Sequence, residues 1–292
     1  MRARAALQRL GRIAQGLRLL RPVHSAATKR SYLLARREER FILRIDEPLA
    51  QEWRLDRRAE VDVLRRAAQA GVGPELIGFE LRPPAVLLLR YVPGRAWCVA
   101  DLGDRHRLVQ LAGLLRRVHA IAMPGPPLDL ARAARVYAAR ADQPGAPLVA
   151  AEVAQLLRRL PPQQSALCHH DPIAANVIGF SKPRLVDWEY AGAGAPWFDL
   201  AAVLAHHRVP PRQATRFLSA YFGTTAAIPG EAITTFRRVY DRILMLWLWA
   251  LQRTHPLSRP QQAWLRQAGR AAGSGVNERR GRRPRPGASP RS

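Results

Sequence analysis

Short apolar runs come first along the chain and long runs of helical period follow. Leu7, Leu10, Ile13, Ala14, Leu17 and Leu20 recur at helical spacing with arginines between them, which predicts a basic amphipathic helix at the start. SYLLAR and RFILRID, between Ser31 and Asp46, flank the charged turn REE and predict a β-hairpin. A helix is predicted over 51–70, stopped by Gly71, Gly73 and Pro74, and two more strands over 76–80 and 85–91 flank Arg82-Pro83-Pro84. Beyond Gly94 the period is helical over 102–122, 128–142, 148–160, 197–206, 212–222 and 231–254. This order predicts an α+β fold of two lobes: a small β-rich lobe over 1–92 with its leading helix, and a larger, mostly helical lobe over 93–270 carrying one hairpin. From Ala271 the text is Gly, Pro, Ser and Arg, which cannot bury a core, so 271–292 is expected to be a disordered basic tail.

A chain of 292 residues, 48% hydrophobic, is long enough for a full core. Its formal charge of +25 would suit a nucleic acid, an anionic membrane or a phosphorylated ligand. Lys29 and Lys182 are the only lysines, however, so the surplus is arginine in a chain rich in Ala and Pro, which reads as compositional bias. No dedicated nucleic-acid partner is expected, and peripheral membrane contact through the basic N-terminal helix is the less favoured alternative to packing on its own fold. Cys98 and Cys168 are far apart and form no CxxC pair, which argues against a zinc module or disulfide framework and fits a reducing cytoplasm. The longest apolar run, 243–251, falls short of the roughly 20 residues needed to span a bilayer, and the opening stretch lacks a signal-peptide cleavage pattern. A soluble, cytoplasmic protein is expected.

The chemistry concentrates in CHHDPIAANVIGFSKPRLVDWEY, residues 168–190. Folding this stretch about Ser181 and Lys182 sets Val177 opposite Val186, Ile178 opposite Leu185 and Gly179 opposite Arg184, and the same register sets Asn176 opposite Asp187. Paired strands lie about 4.8 Å apart. Two oxygen-bearing side chains at such a base could converge on one small hard cation, for which magnesium is the natural candidate. Asp171, in the loop leading in, would be placed to accept a proton from a hydroxyl. The plain alternative is that Asp and Asn are ordinary turn residues. A zinc site built from Cys168, His169, His170 and Asp171 is disfavoured because consecutive extended residues point to opposite sides.

His169-His170-Asp171 with Asn176, then Asp187-Trp188-Glu189-Tyr190 and Phe198-Asp199-Leu200-Ala201, resembles the aminoglycoside phosphotransferase and choline kinase group of small-molecule kinases, over about 24–266. The VDWEYAG ending is most similar to the bacterial thiamine kinase and LicA-type choline kinase branch. The resemblance implies a bilobal protein-kinase-like fold, ATP and Mg2+ as cofactors, and transfer of the γ-phosphate to an alcohol. It assigns Asp171 as catalytic base, Asn176 and Asp187 as metal ligands, and His169 as the brace of the catalytic loop. Asp199 would hold that loop by hydrogen bonds, with a helix-terminal carboxylate as the plain alternative. His170 takes a place often held by glycine and receives no role.

The same resemblance makes Arg44 the phosphate anchor, where most kinases have lysine, and Glu60 its partner, with Asp56 and Asp62 as solvent-facing competitors. The phosphate-covering turn, HSAATKRSY from His24 to Tyr32, has no glycine, so Ser25, Thr28 and Lys29 would bind through their side chains. LLLRYVPG resembles an interlobe hinge, with backbone groups of Arg90, Tyr91 and Val92 receiving adenine. Trp188, Glu189, Tyr190 and Trp197 would meet the acceptor, with Trp247 and Trp249 divided between ligand contact and core. Aromatic faces with a carboxylate suit thiamine or a choline-like cationic alcohol. An aminoglycoside or sugar acceptor, or a catalytically weak nucleotide-binding protein of the same fold, are the alternatives.

Overall fold

The computed structural model describes residues 3–223 and 228–273, so the expected tail from 274 lies outside the described residues. The first half contains α1 (Ala3–Arg9), β1 (Arg18–Ser25), β2 (Lys29–Arg36), β3 (Glu39–Asp46), α2 (Pro48–Glu52), α3 (Arg57–Gln69), β4 (Leu76–Glu80) and β5 (Val86–Arg90). The strands form one antiparallel sheet in the order β1-β2-β3-β5-β4. Then come α4 (Arg105–His119), α5 (Leu130–Arg140), α6 (Ala146–Leu157), β6 (Ala166–Cys168), β7 (Val177–Ile178), β8 (Arg184–Leu185), β9 (Gly192–Gly194), α7 (Pro196–His206), α8 (Pro211–Phe222), α9 (Gly230–Gln252) and α10 (Arg259–Ala271). The architecture is α+β and two-lobed, a five-stranded sheet against a helical body. Among the described residues no helix is long and apolar enough to cross a membrane.

The expected opening helix is cut short. Gly11 and Gly16 take left-handed φ of 58° and 76°, the chain turns, and Leu19 and Leu20 enter β1 instead. Ala3, Ala6 and Leu10 pack on Leu34, Phe41, Leu43 and Ile45 of the sheet, so the apolar period serves the domain's own core. The helix expected over 51–70 is two helices. Arg54 at φ 54° breaks it, and the Asp56 carboxylate then caps α3 by accepting from the backbone N–H groups of Arg58 and Ala59 at 3.0 Å. Helix α10, absent from the sequence reading, starts with a reciprocal cap between Ser258 and Gln261.

One core runs through both lobes. Leu64 of α3, Leu87 of β5, Leu111 and Leu115 of α4, Val177 and Leu185 of the β7–β8 hairpin, Leu204 of α7 and Phe217 of α8 belong to the same apolar cluster. A second cluster joins α5, α6, α7 and α9 through Val149, Val153, Phe198, Phe236, Val239 and Leu246. The hairpin is therefore clamped from both sides.

The interlobe linker fixes it further. Trp97 donates its amide to Val177 O at 2.8 Å and its indole N–H to Gly179 O at 2.6 Å, and Gly179 donates back to Arg95 O at 3.3 Å. Gly94 passes so close that a Cβ on it would lie 2.9 Å from Gly179 Cα, and its φ is +112°. A side chain there meets backbone that cannot retreat. Gly94→Ala is expected to lower the unfolding free energy by about 1–3 kcal/mol, read as a reduced urea midpoint at unchanged m-value.

Candidate active site

Strand β6 pairs with β9 and delivers the chain to His169, His170 and Asp171. His170 sits at φ 63°, in the left-handed region. That turn points two successive amides one way, and Asp199, buried in the first turn of α7, accepts both: His169 N–H at 2.7 Å and His170 N–H at 2.8 Å. Burial alone would raise the Asp199 pKa, but the hydrogen bond and charge of His119 more than offset it, and the group stays below the usual carboxylate value. The His169 ring nitrogen Nε2 donates to Val186 O at 3.0 Å and the ring packs on Trp188. Loop and hairpin are thus tied together below the site. Burial lowers the pKa of both His169 and His170 and leaves their rings neutral.

Cys168, His169, His170 and Asp171 do not converge. Cys168 lies with His119 and Asp199, His169 turns to Val186, and His170 Nδ1 donates to Tyr190 O at 2.9 Å. The Cys168, His119 and Asp199 donor atoms fall within 4.8 Å of one another, but Asp199 is spent on the two amides and His119 Nδ1 on the Tyr221 hydroxyl at 2.7 Å.

Asn176 closes a one-turn 3-10 helix, and its Nδ2 donates to Asp171 twice, to the backbone O and to Oδ2, both at 2.9 Å. The hairpin register differs by one residue from the expected one: Val177 pairs with Leu185 and Ile178 with Arg184. Gly179 is drawn to the linker and adds a residue to the loop, and Val186 N–H donates to Asn176 O at 2.9 Å, so Val186 takes the place expected of Asp187. A slip of one residue would turn Asp187 to the opposite face. Its φ of +70° re-aims the chain instead, and the charge of Asp187 is felt at Asp171. Burial, and then that charge, push the Asp171 carboxyl well above the ordinary carboxylate range.

A ladder of ion pairs joins the lobes. Arg44 on β3 grips Glu60 on α3 with both terminal nitrogens at 2.5 Å. Arg57, at the start of α3, donates to Glu60 at 2.7 Å, to Asp46 at 2.9 Å and, across the cleft, to Glu189 at 3.3 Å. Lys29, first residue of β2, places its ammonium on Asp187 and, at 3.1 Å, on Glu189, and the Thr28 hydroxyl donates to Glu189 at 3.1 Å. Burial would raise the pKa of Glu60 and Glu189, but the surrounding cations reverse it: Glu60 lies below its usual value and Glu189 falls to about 2. Glu189 therefore belongs to the interlobe contact, where Lys29 and Arg57 neutralise it, and not to an acceptor pocket. Ser25 is exposed at the end of β1 and takes no part.

A cavity of about 200 Å3 opens beside Asp171. Tyr137 from α5, Tyr190, Tyr240 and Trp247 from α9, and Trp264 from α10 line it. Its titratable walls are neutral: burial holds Tyr137 up at about 12 and His206 down at about 3. Asp171 is the one carboxylate on the wall. A larger cavity of about 960 Å3 borders α3 and reaches Asp46 and Arg57 but contains none of Lys29, Asp171, Asn176 or Asp187.

Of the side chains expected at the acceptor, Tyr190 lines this cavity; Trp188 and Trp197 do not. Trp188 is fully buried, donates to Leu185 O at 2.9 Å and packs where Gly73 leaves room. Trp197 packs between the two core clusters, and Trp249 packs in the second. The wall residues Tyr137, Tyr240 and Trp264 come from helices remote in sequence, with no local motif to mark them. Two of the expected hinge amides are already used: Arg90 N–H donates to Glu75 O at 2.8 Å and Tyr91 N–H to Arg40 O at 3.1 Å, because β5 runs on between β4 and β3. Val92 is buried beside them.

A model of the phosphotransferase enzyme family matches residues 19–232. Among solved structures, a choline/ethanolamine kinase family protein from Mesorhizobium loti superposes with a TM-score of 0.73 at 22% identity, over 95% of this chain and 96% of its own. The choline kinase LicA from Streptococcus pneumoniae also gives 0.73, at 18% identity over 87% and 95%. An aminoglycoside-3'-phosphotransferase of type VIII gives 0.60, at 24% identity over 82% and 98%. These likenesses show the fold. The search of curated proteins gives no match.

Because the Glu60 carboxylate is paired with Arg44 and Arg57 only in the folded protein, its depressed pKa stabilises the fold above the unfolded value of 4.5, and that gain is lost as pH falls through the folded value. Glu60→Gln leaves Arg44 buried without its counter-charge. It is expected to cost about 3–5 kcal/mol at neutral pH. The gap to the native protein should narrow as the pH of thermal melts is taken below 4.5.

Proposed function

The chain belongs to the phosphotransferase enzyme family, and from that premise we propose that it moves the terminal phosphate of a magnesium–ATP complex onto the hydroxyl of a small cationic alcohol, choline-like in size. The observation that carries this reading is the position of Asp171: one wall of an aromatic cavity on one side, Asn176 and the charge of Asp187 on the other.

The donor set suits a hard divalent ion. Asn176 commits its amide nitrogen to Asp171, which leaves the carbonyl oxygen as its ligand atom, and Asp187 and Glu189 supply carboxylates. A cation already rests on the two carboxylates, the Lys29 ammonium, so the seat accepts positive charge. Asn176 and Asp187 would hold the ion, with the Glu189 carboxylate beside Asp187 completing the seat, and a bound ion would draw charge from the phosphate oxygens.

The protein's own groups do the rest. Asp171, made a stronger base by burial, takes the acceptor's hydroxyl proton, and Asn176 fixes its pose with one bond to the carboxylate Oδ2 and one to the backbone O. Asp199 and His169 hold the loop from behind, so Asp171 is aimed without backbone adjustment. Arg44 spends its terminal nitrogens on Glu60, and its Nε has no partner among the described residues, leaving that donor for a phosphate oxygen.

Neutral aromatic walls around a single carboxylate favour an organic cation, since ring faces attract positive charge without hydration. A volume of about 200 Å3 lies below the 300–1,000 Å3 typical of drug-sized ligand pockets, which favours choline or ethanolamine over a multi-ring aminoglycoside.

Acceptor-dependent release of ADP, matched by phosphorylated acceptor, is the test. With magnesium–ATP, turnover is expected with choline, ethanolamine or thiamine, and turnover with aminoglycosides or N-acetylhexosamines alone would overturn the acceptor class. Asp171→Ala should lower kcat by about 10²- to 10⁴-fold with the melting temperature retained. Trp247→Ala should raise the acceptor KM about 3- to 30-fold while leaving the KM for ATP unchanged.

A further inference from the structure

Lys29 is a buried lysine at the lip of a cleft, in a turn where the sequence offers no glycine. Burying an ammonium costs free energy unless it is paired, and here both partners lie in the other lobe, Asp187 and Glu189. The turn bearing it leans on the large lobe through two further contacts: the Thr28 hydroxyl on Glu189 at 3.1 Å and Ala27 against the cluster of Leu248, Leu251 and Trp264. The other cation on Glu189, Arg57, is pinned at the same time by Asp46 and Glu60 and cannot leave without breaking both. Among the described residues Lys29 has no such second anchor in the small lobe. It is a compact charge on a flexible stem, and Asp187 keeps 28% of its side-chain surface open to an approaching ion.

We propose that the Lys29 ammonium is a built-in counter-ion that occupies the seat formed by Asp187 and Glu189, so that a divalent cation must displace it before the site can load. Two cations cannot share those oxygens without strong repulsion, so the competition follows from the contact itself. Displacement leaves the β1–β2 turn held by Thr28 and Ala27 and swings only the lysine stem, and the released ammonium is then the charge that a glycine-free turn can offer a phosphate chain in place of a backbone cradle. In this way one side chain makes metal entry and nucleotide entry favour each other, since the phosphates give the expelled lysine a new partner.

The proposal rests on the phosphotransferase reading, and the test separates the two. Mn2+ binding to the full chain without nucleotide is measured by electron paramagnetic resonance, for the native protein, Lys29→Met and Lys29→Met/Asp187→Asn. Lys29→Met is expected to bind Mn2+ about tenfold tighter or more than the native protein, and the added Asp187→Asn to abolish the gain. The non-hydrolysable analogue AMP-PNP, added next, should tighten Mn2+ binding to the native protein more than to Lys29→Met. Equal Mn2+ affinity in the native and Lys29→Met proteins overturns the proposal, and so does a gain that survives Asp187→Asn. A native protein that binds AMP-PNP but shows either of those results loses only the counter-ion. One that binds neither AMP-PNP nor Mn2+ loses the phosphotransferase reading as well. Lys29→Gln, which keeps a hydrogen-bonding end without the charge, gives the same readout should Lys29→Met fail to fold.

Discussion

Everything at the cleft depends on how its buried charges balance. Arg44, Arg57 and Lys29 face Glu60, Asp46 and Glu189, all nearly closed to water, and Asp187, which stays partly open, and no single pair is self-sufficient. Glu60 serves two arginines and Glu189 serves an arginine and a lysine. Such a lattice adds little net stability over a well-packed apolar one, because each ion must first be stripped of water. What it supplies is alignment: strands β2 and β3, helix α3 and the segment after the hairpin can satisfy their charges together in one relative position. The lobes are thereby registered by electrostatics and held by the apolar cluster that runs beneath.

The carboxylate proposed as the base lies at the edge of this balance, where the charges of Asp187 and Lys29 still reach it. Burial, and then the charge of Asp187, make Asp171 more basic than an ordinary aspartate, while Glu189, two residues beyond Asp187, is driven the other way against its own burial by Lys29 and Arg57. One short stretch of chain thus holds a carboxyl suited to taking a proton and another suited to holding a cation. Burial acts on both, and the difference lies in which cations reach each.

Much of this was legible in the sequence, and the boundary has physical causes. The two-lobed order, the β2–β3 hairpin and the clustering of Asp171, Asn176 and Asp187 follow from local patterns, where period and spacing carry the information, and the Arg44 and Glu60 pairing follows from the family resemblance. The misreadings share another origin. The hairpin register shifted because Gly179 answers to the linker, a contact 84 residues away from Arg95 that no hairpin rule contains. Trp188 looked available to a ligand because it stands next to Asp187, but it alternates into the core beside Gly73. The opening helix carried a correct period that two left-handed glycines overrode. The acceptor walls were invisible because tertiary packing alone assembles α5, α9 and α10.

That assembly divides the labour of the chain unevenly. The groups proposed to act on the phosphate are confined to one compact segment and are tied by Asp199 to a single helix, whereas the walls of the proposed acceptor cavity are spread over the faces of three others. Substitutions on those faces can reshape the chamber one ring at a time without disturbing the base or its supports. A lineage built this way can exchange one alcohol for another by gradual drift of helix surfaces while the phosphate chemistry is inherited intact.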